Sequence, residues 1–77
     1  MAIKSKRLSE IKVGARAVVR SVERRDSVGW RLLEMGFVPG TQVELVRRAP
    51  MGDPMEIRLR GYSLSLRREE GDSIFVE

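Results

Sequence analysis

Glycine and proline cut this chain so often that a long helix has nowhere to run. Gly14, Gly29, Gly36, Pro39, Gly40, Pro50, Gly52, Pro54, Gly61 and Gly71 leave only short segments between them, and most of those segments have strand length. The pattern points to a small barrel rather than a helical bundle. Seventy-seven residues make one domain, 1–77, with no room for a second core. A chain with neither cysteine nor histidine has no disulfide framework and no His/Cys zinc or iron site, so its core must rest on packing.

The segments themselves are specific. ARAVVRSVE (15–23) is β-branched and alternates, with Ala17, Val19 and Ser21 on one face and Val18, Arg20 and Val22 on the other. Upstream, Leu8 and Ile11 sit one helical turn apart, with Ser9 able to cap the turn. In DSVGWRLLEMG (26–36), Asp26 or Ser27 can start a helix, Val28, Leu32 and Met35 fall on one face, and Gly36 ends it. Gly29 inside that helix costs about 1 kcal/mol relative to alanine, and Trp30 is expected at the core or its rim. Val38-Pro39-Gly40-Thr41 has the form of a type II turn, and TQVELVRR (41–48) resumes the alternation.

MEIRLRGYSLSLRRE (55–69) reads as a hairpin. Gly61-Tyr62 as a type II′ turn pairs Leu59 with Leu64, Ile57 with Leu66 and Glu56 with Arg67. Glu69 and Glu70 are placed on opposite faces of the continuing strand, and SIFVE (73–77) is the last strand, with Ile74 and Val76 inward. The expected fold is mainly β: a small SH3-like barrel of about five strands with one helix inserted after the first strand.

Catalysis is not expected. The missing histidine and cysteine remove the common general base and the common soft nucleophile, and no carboxylate pair has an environment that would split two pKa values. Oxygen-only metal sites built from Asp and Glu are weak when exposed, so no metal or other cofactor is expected. No apolar run reaches the roughly 18 residues of a membrane span, and the basic N-terminus MAIKSKRLSEIKVG has no leader-length apolar run, so a cytoplasmic protein is expected. The net charge of +4, carried by twelve Arg and three Lys, suits an acidic protein, a lipid head-group surface or RNA. The RNA alternative would use Arg20, Arg47, Arg58 and Arg60 as an arginine wall, but few aromatics are free to stack bases, so nucleic acid is not favoured.

APMGDP (49–54) is the remaining segment of interest. It offers one glycine and a proline without an N–H, too little for a phosphate loop. Pro50 and Gly52 explain a turn, whereas Met51 and the following Met55 do not belong to one. Two adaptable apolar side chains among arginines suit partner contact, so the candidate binding residues are Arg47, Arg48, Met51, Gly52, Asp53, Pro54, Met55 and Arg58. Exposed methionines and unpaired strand edges would also permit weak self-association.

These motifs carry a resemblance. Arg31-Leu32, Gly36-Phe37-Val38-Pro39-Gly40, Ala49 to Pro54, Gly61 and Leu66-Arg67, in this order and spacing after the opening LSEIKVGARAVV, resemble the FeoA family, the small cytosolic component of bacterial ferrous-iron transport. The resemblance implies an SH3-like barrel acting beside FeoB, a membrane permease with a cytosolic GTP-binding domain. It implies a non-enzymatic accessory that docks on FeoB at the inner face of the cytoplasmic membrane and modulates Fe(II) transport or GTP hydrolysis.

Overall fold

The computed structural model describes residues 5–77; residues 1–4, which entered the reading of the N-terminus, lie outside the described residues. Six strands and two helices follow in the order β1 (Lys6–Arg7), a 3₁₀ turn (Leu8–Glu10), β2 (Arg16–Val22), α1 (Ser27–Met35), β3 (Gln42–Arg48), β4 (Met55–Leu59), β5 (Tyr62–Leu66), α2 (Arg68–Gly71) and β6 (Ile74–Val76). The strands lie in the order β1-β6-β2-β3-β4-β5, all neighbours antiparallel. The mainly β barrel with its helix ahead of the third strand agrees with the sequence reading. The count rises because Lys6 and Arg7 add a two-residue strand to β6, which puts the helix after the second strand.

Strand β2 bends the sheet. Arg16–Val18 pair with β3, whereas Val19–Val22 pair with β6 across an irregularity between Val19 and Ser21. Such a bulge raises the local twist and lets one strand serve both halves of a barrel. Alternation then sends Ala17, Val19, Val43, Leu45, Ile57, Leu59, Ile74 and Val76 inward, where Leu8, Leu32 and Phe37 complete the core. Leu8 and Ile11 are both buried, but Ser9 caps nothing; its hydroxyl donates to Asp72 Oδ1.

Helix α1 begins at Asp26, whose carboxylate accepts from Gly29 N at 3.0 Å and from Arg24 Nε at 2.8 Å. These contacts hold the Asp26 carboxyl below its ordinary range, the Arg24 hydrogen bond contributing most. Gly29 is buried because the preceding turn lies against it: a Cβ there would sit 1.9 Å from the carbonyl oxygen of Arg24. Trp30 departs from expectation and is 65% exposed. It sits two residues from both Val28 and Leu32, which turns it to the side opposite the buried stripe. The 38–41 turn forms as expected, with Thr41 N donating to Val38 O at 3.1 Å and Gly40 at φ +94°.

The β4–β5 hairpin has a different register from the one expected. Its central residues are Arg60 and Gly61, both at positive φ (49° and 82°), which is the pattern of a type I′ turn. Leu59 therefore faces Tyr62, Ile57 faces Leu64 and Met55 faces Leu66. Each partner moves by two residues, so the apolar residues keep their face. Glu56 consequently lies opposite Ser65 rather than Arg67, and its carboxylate accepts from Arg47 Nε at 2.7 Å. The strand expected through Glu69 and Glu70 is instead α2. Glu70 Oε1 accepts from Arg67 N at 2.9 Å, and its Oε2 takes Arg31 Nη2 at 2.7 Å.

Candidate partner-binding loop

Residues 49–54 connect β3 to β4. Pro50 occupies the second position of a β-turn closed by Gly52 N donating to Ala49 O at 2.7 Å, and Met51 occupies the third. A second bond, Ala49 N to Pro54 O at 3.0 Å, closes the loop at its base, and the Asp53–Pro54 peptide is cis. Two side chains tie the loop to its neighbours. Asp53 Oδ1 accepts from the first amide of α2, Arg68 N, at 2.9 Å. Arg48 Nη2 donates to the carbonyls of Ser9 at 2.7 Å and Ile11 at 3.1 Å, beneath the 3₁₀ turn.

The two methionines have opposite fates. Met51, at the tip, is 92% exposed, the most exposed large apolar side chain among the described residues. Met55 is fully buried at the start of β4. Its Cε lies where a Cβ on Gly71 would be, at 2.5 Å, so the bare backbone of α2 makes room for the thioether arm. A flexible unbranched side chain suits such an irregular gap. Met55 is thus a core residue and offers no surface to a partner, contrary to its place among the candidate contacts.

The arginines are also sorted. Arg47 is ion-paired with Glu56, and Arg58 lies 3.7 Å from Glu44, which also meets Arg16 at 3.9 Å. Arg20 pairs with Glu77 at 3.0 Å. Three of the four arginines of the expected RNA-binding wall are therefore matched by carboxylates, leaving that face of mixed sign. Arg48 is spent on backbone carbonyls. The structure gathers Arg48, Met51, Gly52 and Asp53 around one shallow depression of about 340 Å³, which Ser9 and Arg68 complete. Arg47 and Pro54 line a second depression of about 300 Å³ on the other flank of the loop, and Arg58 lies at neither. Arg68, absent from the residues expected from the sequence, joins them because the chain after Leu66 turns into α2 rather than continuing as a strand.

Among the described residues no three carboxylates cluster in a way that could hold a metal ion. No helix of the described residues is long and apolar enough to cross a membrane.

A six-stranded barrel of this size, with an anchored loop carrying one bare apolar side chain, is a small SH3-like domain. The family model of the FeoA domain matches residues 6–77, and the chain belongs to that family. It is 46% identical over 71 residues to a fusion protein of Fe(2+) transport protein A and the Fe(2+) transporter FeoB from Porphyromonas gingivalis. That match takes in 92% of this chain and 8% of the fusion protein. Among solved structures, the FeoA-like protein of Clostridium acetobutylicum superposes with a TM-score of 0.90 at 39% identity, covering 99% of this chain and 88% of that one. The FeoA of Stenotrophomonas maltophilia, an SH3 domain protein crystallised with zinc, gives 0.82 at 34% identity, covering 91% and 87%.

Proposed function

We propose that this protein is a non-enzymatic accessory of ferrous-iron uptake that docks on a FeoB-type membrane permease and modulates its transport or GTP hydrolysis. The observation that carries this reading is the Porphyromonas gingivalis relative, in which a segment 46% identical to this chain is covalently joined to the transporter FeoB. Fusion supplies by covalent linkage the proximity that two separate chains must obtain by binding. The Stenotrophomonas maltophilia relative, put forward as a ferrous iron transport activating factor, points the same way.

The 49–54 loop is the contact we assign. Its backbone is closed by its own hydrogen bonds and tied to α2 and the 3₁₀ turn, so little conformational entropy is lost when it docks. Met51 supplies adaptable apolar area, and Arg68 stands beside it as a cation without an ion-pair partner among the described residues. Docking would hold the protein at the cytoplasmic face of the membrane.

The test is binding to a detergent-solubilised FeoB-type permease, followed by titration calorimetry and by GTP turnover with and without the protein. Met51→Ser should weaken binding about tenfold while leaving the melting temperature within a degree or two. Equal affinity of the folded variant would remove the loop from the interface, and no binding by the wild type would overturn the accessory reading itself.

A further inference from the structure

The two edges of the sheet differ. At one end, β1 is a two-residue strand whose residues are both basic, Lys6 and Arg7. Short length and charge are the ordinary ways of making an edge unattractive to another strand. At the other end, β5 runs for five residues as Tyr62-Ser63-Leu64-Ser65-Leu66, with no charge, no proline and no register shift against β4. The type I′ turn fixes which of its backbone groups are free. Residues flanking a two-residue turn exchange hydrogen bonds, so Tyr62, Leu64 and Leu66 bond inward to β4. The N–H and C=O groups of Ser63 and Ser65 therefore point out of the sheet. Both serines are exposed, and among the described residues no backbone group of 62–66 bonds outside the β4 ladder.

We propose that the free edge of β5 is a β-addition site for an extended acidic segment of a partner protein, whose carboxylates meet Arg67 and Arg68 at the end of the strand. The surface borders the 49–54 loop at Ser65 and Arg68, which line the depressions on the two flanks of that loop, but the proposal does not rest on the FeoB reading. Five residues at 3.3 Å each give an edge of roughly 17 Å, enough for four main-chain hydrogen bonds from Ser63 and Ser65. An added residue opposite Leu64 falls on the inner face, where Leu64 is half-buried and Tyr62 is 43% exposed, so an aliphatic side chain fits there.

Charge selects the occupant. Arg60, Arg67 and Arg68 are exposed and enter no ion pair among the described residues, whereas Arg16, Arg20, Arg47 and Arg58 all do. Arg60 reaches the other way, its Nη2 3.4 Å from Thr41 Oγ1 ahead of β3, so Arg67 and Arg68 are the cations of this edge. A second copy could pair with the edge about a two-fold axis at Leu64, Ser63 against Ser65. That register would set Arg68 opposite Arg60 and Arg67 opposite Gly61, so a second copy brings neither edge arginine a carboxylate. The same arginines attract a strand that ends in carboxylates.

The probe is a peptide blocked at both ends, Glu-Val-Thr-Val-Thr-Val-Glu, titrated into ¹⁵N-labelled protein. The largest amide shifts and the slowed hydrogen exchange should fall on Ser63 and Ser65. N-methylation of both peptide threonines should weaken binding at least tenfold without touching the protein. Ser65→Pro removes one outward donor at a position where an edge strand tolerates proline, and should do the same. Replacing both Arg67 and Arg68 by serine should cost about fivefold, the size carried by two exposed ion pairs. Equal binding of a peptide with lysine in place of glutamate overturns the proposal, as does saturation with Ser63 and Ser65 unmoved. Peptide-free dimerisation that protects these same amides overturns it in favour of a second copy.

Discussion

Gly29→Ala is the substitution on which sequence and structure disagree in sign. Helix propensity alone makes alanine better than glycine by about 1 kcal/mol in the middle of a helix. The structure places the new Cβ 1.9 Å from the carbonyl oxygen of Arg24 and 2.7 Å from its carbonyl carbon. Both are backbone atoms, so no rotamer change relieves the contact, and the 24–26 turn must lift off the helix. Overpacking of this kind costs roughly 1–3 kcal/mol. Lifting the turn also withdraws Asp26 from Gly29 N, and losing an N-cap costs about 1 kcal/mol. Set against the propensity gain, the net loss is about 1–3 kcal/mol. For a domain of this length that lowers the melting temperature by roughly 5–25 °C. The assay is a thermal melt by circular dichroism, with urea unfolding as a second measure. Adding Arg24→Ala should restore nothing, because the obstacle is a peptide oxygen that every residue carries. A variant that melts at or above the wild type, with the residue-29 amide still bonded to Asp26, would refute the close approach.

Two further outcomes test the packing and the electrostatics. Met55→Ala should cost about 2–5 kcal/mol in urea unfolding, as emptying a fully buried position does, whereas Met51→Ala should stay within about 0.5 kcal/mol. The Asp26 carboxyl is held below its ordinary value of 3.8 first by the Arg24 hydrogen bond, then by Gly29 N. A depressed folded pKa gives stability that is present above pH 4 and lost as the pH falls through the folded value. The stability gap between wild type and Asp26→Asn should therefore be constant at neutral pH and close as unfolding is measured from pH 4 downward.

How far the fold was legible depended on whether local chemistry or burial decided each element. A helix start at Asp26 or Ser27, the turn at Pro39-Gly40, and the shared apolar faces of Val43 with Leu45 and of Ile57 with Leu59 follow from residue type and period, and the structure has them there, with Asp26 as the cap. The hairpin register did not follow. Glycine at the first central position made Gly61-Tyr62 the natural turn, yet the chain places Arg60 at positive φ, a conformation uncommon for residues other than glycine. The expected register would have set Met55 against Arg68. The observed one sets Met55 against Leu66, both buried, and long-range burial outweighs one strained arginine. Helix α2 was hidden for a related reason. Its start relies on a glutamate side chain reaching back to Arg67 N without a serine or threonine to announce it.

The same register decides what the candidate site is made of. Met51 and Met55 look equivalent in sequence, two surplus methionines around one turn. Pairing with Leu66 carries Met55 to the inner face, and the absence of a side chain on Gly71 gives its methyl a place to rest. A side chain at 71 would have to displace the Met55 methyl, the far end of a flexible arm. The 49–54 loop is thus followed by a buried residue, Met55, whose methyl rests against Gly71, while Met51 stays exposed at its tip. Core packing accounts for Met55 and leaves Met51 as the exposed one of the two.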